Sequence, residues 1–138
     1  MAESTTADPL AGFAPWSRRS PFGDAAGPLL YRCEGRRLTF ATRVEERHCN
    51  ARGHAHAGMI TTFADLVLGY AGAFSTDPPT PLLTVSLTSD FMTPVAVGKV
   101  LMATPEVLRV GRRMAYAHAV LLVDDAPVAR CSAALAVV

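Results

Sequence analysis

Little in this chain is charged. Asp, Glu, Lys and Arg make up 18% of its 138 residues, and 13 basic against 12 acidic side chains leave a formal net charge of +1. A nucleic-acid binder presents a clustered basic face. The pairs Arg18-Arg19, Arg36-Arg37 and Arg112-Arg113 are too scattered to build one, so no nucleic-acid partner is expected. Cysteine is scarce as well. Cys33, Cys49 and Cys131 are an odd number without CxxC spacing, a pattern that favours free thiols in a reducing compartment over a disulfide framework. No apolar run has the length of a bilayer span, about 20 residues. The N-terminus carries Glu3 and Asp8 in place of a basic and then apolar leader. The expectation is a cytoplasmic protein with no membrane partner.

What remains is apolar: 50% of the residues are hydrophobic, enough at this length for one domain with a proper core. Residues 1–28 read as an N-terminal arm, partly ordered, with Pro9, Pro15, Pro21 and Pro28 forbidding a long helix. Its first eight or so residues are expected to be loosely attached, and Leu10, Phe13 and Trp16, at three-residue steps, suggest a short docked helical turn. Residues 29–138 read as a single domain. Residues 29–33 and 38–44 form a hairpin around Glu34-Gly35, and residues 45–53 a polar surface loop. A helix is predicted from His56 or Ala57 to about Phe74, where Asp77-Pro78-Pro79 forbids continuation. Four strands follow in hairpin succession, over residues 83–91, 99–108, 112–123 and 127–138, with Asp124-Asp125 as the last turn. In the first of them Leu83, Val85, Leu87 and Phe91 share one face and Thr84, Ser86, Thr88 and Asp90 the other. The class is α+β. One long apolar helix and one antiparallel sheet have one economical packing, the sheet curled around the helix, which is the hotdog architecture.

The helix is the unusual element. Met59, Ile60, Phe63, Ala64, Leu66, Val67, Leu68, Tyr70 and Ala71 leave it no polar stripe, the signature of a buried central helix, and Asp65 sits in its middle. A carboxylate in such a place is either a satisfied structural group or one kept for chemistry. His56 and Asp65 are nine residues apart. On one continuous helix that is about 900° of rotation and roughly 13.5 Å of rise, so the side chains point to opposite sides. If both serve one site, a two-fold dimer must bring the histidine loop of one subunit to the Asp-bearing helix of the other.

Asn50, Gly53, His56-Ala57-Gly58 and Asp65 together resemble the motif of the hotdog-fold acyl-CoA thioesterases, in particular the PaaI-like branch associated with phenylacetate degradation. That family places Asn, a Gly-containing loop, His-Gly-Gly and a helical Asp at this spacing; here Ala57 replaces the first glycine. The resemblance runs from about Leu38 to the C-terminus. It implies hydrolysis of an acyl-CoA thioester without metal or redox cofactor, at active sites on dimer interfaces, in dimers that pair into tetramers.

It also implies roles. Asp65 is the general base or nucleophile, and the backbone N–H of Ala57, at the helix N-terminus, is the oxyanion donor. Asn50 and His56 contact the thioester or shape its loop, and Thr84 positions the attacking water. Gly58, Arg112 and Arg113 are assigned to substrate contact, the two arginines to the phosphates of coenzyme A. Phe63, Tyr70, Phe91 and Met92 divide between core packing and an acyl channel. His54 and His56 form an HxH pair without a third ligand, so no metal is expected. The alternatives to an acyl-CoA thioesterase are an acyl carrier protein thioesterase and a non-catalytic acyl-binding module on the same scaffold; the presence of Asp65 speaks against the latter.

Overall fold

The computed structural model describes residues 7–138. The chain forms β1 (Ala14–Pro15), α1 (Pro21–Ala26), β2 (Leu30–Glu34), β3 (Arg37–Arg43), α2 (Ala57–Ala73), β4 (Leu82–Phe91), β5 (Val100–Ala103), β6 (Glu106–Val110), β7 (Met114–Val123) and β8 (Ala126–Val137). All eight strands join one antiparallel sheet in the order β1-β2-β3-β5-β7-β8-β4, with β6 also paired to β7. The sheet wraps α2, as expected of a hotdog fold. No helix among the described residues is long and apolar enough to cross a membrane.

The packing explains the sequence. Ile60, Phe63, Ala64, Val67, Leu68, Ala71 and Gly72 are the buried residues of α2, a stripe at helical spacing. Ala115, Ala117 and Ala119 of β7 and Ala129 and Ala133 of β8 line the opposing sheet, and their short side chains let the helix approach. Gly72 marks the closest approach: a Cβ there would lie 2.9 Å from Leu82 Cδ1. Gly69 is different, because a Cβ there would meet nothing within 4 Å. Emptying the core at Leu68 or Phe63 by substitution with Ala should cost about 2–5 kcal/mol.

Several expectations need correction. The strand over residues 99–108 is interrupted at Thr104-Pro105, where proline has no N–H for the ladder. Its two pieces, β5 and β6, still follow the same edge of β7, pairing Ala103 with Leu121 and Glu106 with His118. The last four strands are not in simple hairpin succession. β4 lies on the far side of β8, the last strand in the chain, so β4 is one edge of the sheet and the two-residue β1 the other. Asp124 and Asp125 do form the final hairpin turn, at φ 50° and 64°, the left-handed pair that matches strand twist.

A register shift between Thr84 and Ser86 changes the facing of β4. A bulge sends the alternation to the other face. Thr84 therefore turns toward α2, while Leu83 and Val85 are each 61% exposed. The polar loop is not wholly on the surface either. It holds a 3-10 turn, Glu46–His48, whose His48 is only 5% exposed. In the arm, residues 1–6 lie outside the described residues, as does most of the segment expected to be loosely attached. Leu10 and Phe13 flank a turn, not a helix, with Phe13 N–H donating to Leu10 O at 3.1 Å. Trp16 docks among Tyr31, Phe40, Tyr70 and Phe74, with ring centroids 5.0–5.2 Å away. The unforeseen helix α1 starts with Pro21 after Ser20, whose Oγ accepts from Gly23 N–H at 3.0 Å, a start that the Ser-Pro pair could have signalled.

Candidate active site

Two clusters of the expected residues form, at opposite ends of β4. The first is built on the flank of α2. Asp65 is only half-buried in the protomer, contrary to the full burial expected of a helix without a polar stripe. Thr84 Oγ1 donates to Asp65 Oδ1 at 2.7 Å. Among the described residues no cation pairs with this carboxylate, and Oδ2 accepts no hydrogen bond. A carboxylate fixed through one oxygen and open at the other can take a proton or attack an electrophile.

Arg112 and Arg113 lie toward this end of the sheet. They are exposed in the β6–β7 turn, and Arg113 O accepts from Val137 N–H at 2.8 Å. Val137 in turn pairs with Leu82, at the start of β4. Neither arginine forms a salt bridge among the described residues.

The second cluster is the loop before α2. Asn50 folds it, Oδ1 accepting from Arg52 N–H at 2.9 Å and His54 N–H at 3.3 Å, and Gly53 turns it at φ +78°. His56 caps the helix: its Nδ1 accepts from Gly58 N–H at 2.8 Å. That contact puts the neutral ring's proton on Nε2 and engages Nδ1 structurally. Gly58 suits the cap, since a Cβ there would lie 3.0 Å from Nδ1. Ala57 is the first helical residue. It is exposed, and its N–H donates to nothing among the described residues. An unsatisfied amide at a helix N-terminus is a natural seat for developing negative charge.

Beside Ala57 a groove of about 330 Å³ is lined by Asn50, Arg52, His54, Ile60, Phe91 and Met92, among others. Phe91 ends β4, seven residues from Thr84, roughly 23 Å along an extended strand. Ala57 and Asp65 themselves are eight residues apart on α2, roughly 12 Å of rise, so one protomer does not bring them together. His54 and His56 have no convergent third ligand: no group of three or more His, Cys, Asp or Glu among the described residues could hold a metal ion.

His48 escaped the sequence reading. Its Nδ1 accepts from Glu45 N–H at 2.9 Å and its carbonyl from His56 N–H at 2.8 Å, so it seats the residue that caps α2. The Glu45–His48 spacing is the signal that was available, an end-to-end capping pair. Of the thiols, buried Cys131 is pushed up to about 11 by desolvation, so near neutral pH it stays protonated and is no nucleophile.

An antiparallel sheet wrapped around one long helix defines a hotdog protein. Residues 52–128 match the sequence profile of the thioesterase superfamily, and the chain belongs to that family. It is similar to a candidate esterase of Pseudomonas aeruginosa, 44% identical over 122 residues that cover 88% of this chain and 91% of that one. It is also similar to human acyl-coenzyme A thioesterase 13, 31% identical over 54% of this chain and 52% of that one. Among solved structures it resembles the phenylacetic acid degradation protein PaaI of Thermus thermophilus, with a TM-score of 0.75 over 86% of this chain and 100% of that one. At 22% identity the last comparison speaks for the fold alone.

Proposed function

We propose that residues 29–138 form an acyl-CoA thioesterase, located in the cytoplasm, that hydrolyses a thioester to the free acid and coenzyme A at two sites shared across a two-fold dimer. The observation that carries this reading is the Thr84–Asp65 hydrogen bond of 2.7 Å, which fixes a half-buried carboxylate next to the open edge of the sheet. β4 is that edge, and an unpaired edge strand invites pairing with another chain. Pairing β4 with its two-fold mate is antiparallel. It lays the Thr84 end of one strand beside the Phe91 end of the other, and so brings Asp65 to the groove of the partner subunit. Exposed Tyr116 and Val120, on the outer face of the sheet, offer a second surface through which dimers would pair into tetramers.

In such a site the thioester carbonyl lies against the N–H of Ala57 of the partner subunit, at the N-terminus of its α2. Asp65 takes a proton from a water that Thr84 helps to hold, and the water oxygen attacks the carbonyl carbon. The oxyanion rests on the Ala57 amide; the C–S bond then breaks, and the thiolate leaves with the proton carried by Asp65. The alternative is direct attack by Asp65 to give an anhydride that water opens. Asn50 and His56 hold the amide in place, Gly58 keeps the cap open to substrate, and Arg112 and Arg113 lie where coenzyme A phosphates would pass. The likeness to an acyl-coenzyme A thioesterase supports the leaving group, and the three free cysteines support the reducing compartment.

The test is a panel of acyl-CoA thioesters with thiol-release detection, run beside Asp65→Ala. Turnover by the native protein and its loss in the folded variant are expected. Undiminished turnover by Asp65→Ala would remove this carboxylate from the mechanism.

A further inference from the structure

The groove beside Ala57 differs in charge from the other large cleft of the protomer. That cleft, about 320 Å³ between the N-terminal arm and α2, contains Arg18, Arg19 and Arg47, but Asp24 also lines it and pairs with Arg19, Arg47 pairs with Glu45, and Arg18 lies over the Phe74 ring without a carboxylate partner. The motif groove has no carboxylate in its lining. Arg52 on its rim makes no side-chain hydrogen bond or salt bridge among the described residues, and neither does the ring of half-buried His54. Asn50 spends its Oδ1 on the loop, which leaves its NH₂ free. The rim is thus a set of donors without an acceptor, above an apolar floor of Ile60, Phe91 and Met92.

We infer that Arg52, with His54 beside it, forms a subsite for an anionic oxygen group of the substrate. Guanidinium and imidazole donors suit phosphate and carboxylate equally. The group is therefore either a phosphate of coenzyme A or a terminal carboxylate on the acyl chain. The inference rests on the thioesterase reading, because it takes the reacting carbonyl to lie at Ala57.

Steady-state kinetics of the native protein and of Arg52→Gln, an exposed position that leaves the core intact, test it. Three substrates are needed: an uncharged acyl-CoA, the same acyl group on N-acetylcysteamine, and an ω-carboxyacyl-CoA of equal length. Arg52→Gln should raise KM roughly tenfold or more with kcat little changed, and Arg52→Lys should recover part of the loss. A penalty on both CoA thioesters but not on the N-acetylcysteamine thioester identifies the phosphate. A penalty confined to the ω-carboxyacyl substrate identifies the acyl carboxylate. Equal kinetics of variant and native protein on all three would overturn the subsite. If the native protein cleaves none of them, the thioesterase reading fails instead. Calorimetric titration with coenzyme A and with the free ω-dicarboxylate then decides the subsite: binding of either that weakens in Arg52→Gln upholds it, and no Arg52-dependent binding overturns it.

Discussion

The two ends of β4 are built to opposite specifications. At the Thr84 end the chain supplies an acceptor, the Asp65 carboxylate, steadied by one hydroxyl. At the Phe91 end it supplies donors: the open Ala57 amide, the Asn50 NH₂ and the Arg52 guanidinium. Hydrolysis of a thioester needs both kinds of group within a few ångströms of one carbon, and the protomer holds Asp65 and the Ala57 amide roughly 12 Å apart along α2. Each end on its own is incomplete. In the proposed mechanism the two ends are half-sites, and a two-fold axis would join them.

Removing either half should have the largest effect on activity. Asp65→Asn, nearly isosteric, should lower kcat about 10²–10⁴-fold, while circular dichroism and melting temperature stay near native. Ala57→Pro removes one N–H at a helix position where proline is well tolerated. It should lower kcat about 10²–10³-fold, again with the fold retained. A third variant acts on the seam without touching either half. Gly69 is one helical turn from Asp65, and side-chain space at it is empty in the protomer. Gly69→Leu should therefore leave the protomer folded but weaken the dimer in light scattering, with turnover falling in step. Thr84→Val loosens Asp65 and should lower kcat about tenfold with KM little changed. Smallest is Gly69→Ala, which should raise helix stability by roughly 1 kcal/mol in thermal unfolding if the seam leaves room for one methyl.

Much of this was legible in the residues. The limits of α2 follow from Asp77-Pro78-Pro79 and from the start of the apolar period, and the structure places them at Ala57 and Ala73. Asp65 drew attention because a carboxylate in an apolar helix is costly. What the pattern could not tell is which apolar surface covers the helix. Half of α2 packs on its own sheet, whereas Met59, Leu66, Gly69 and Tyr70 remain only half-buried, and composition does not distinguish burial by one's own sheet from burial by another chain. The facing of β4 was misread for a different reason. One bulge residue near Val85 reverses the alternation, and nothing in Thr84-Val85-Ser86 announces it. The edge position of β4 was hidden because its neighbour, β8, is the last strand to be made. The donor character of the groove was out of reach from sequence, since Arg52 stands out only once the groove around it is seen to hold no carboxylate.

The most direct test of the joined half-sites is a mixing experiment. Asp65→Asn and Ala57→Pro, each nearly inactive alone, are combined in equal amounts, unfolded and refolded together so that subunits exchange. A hybrid dimer then has one site spoiled twice and one site intact, with Asp65 from one chain and the Ala57 amide from the other. Random pairing makes half the dimers hybrids, so the account predicts recovery of about a quarter of native activity. A mixture that forms hybrids, verified by mass spectrometry, and stays as inactive as its components would contradict it.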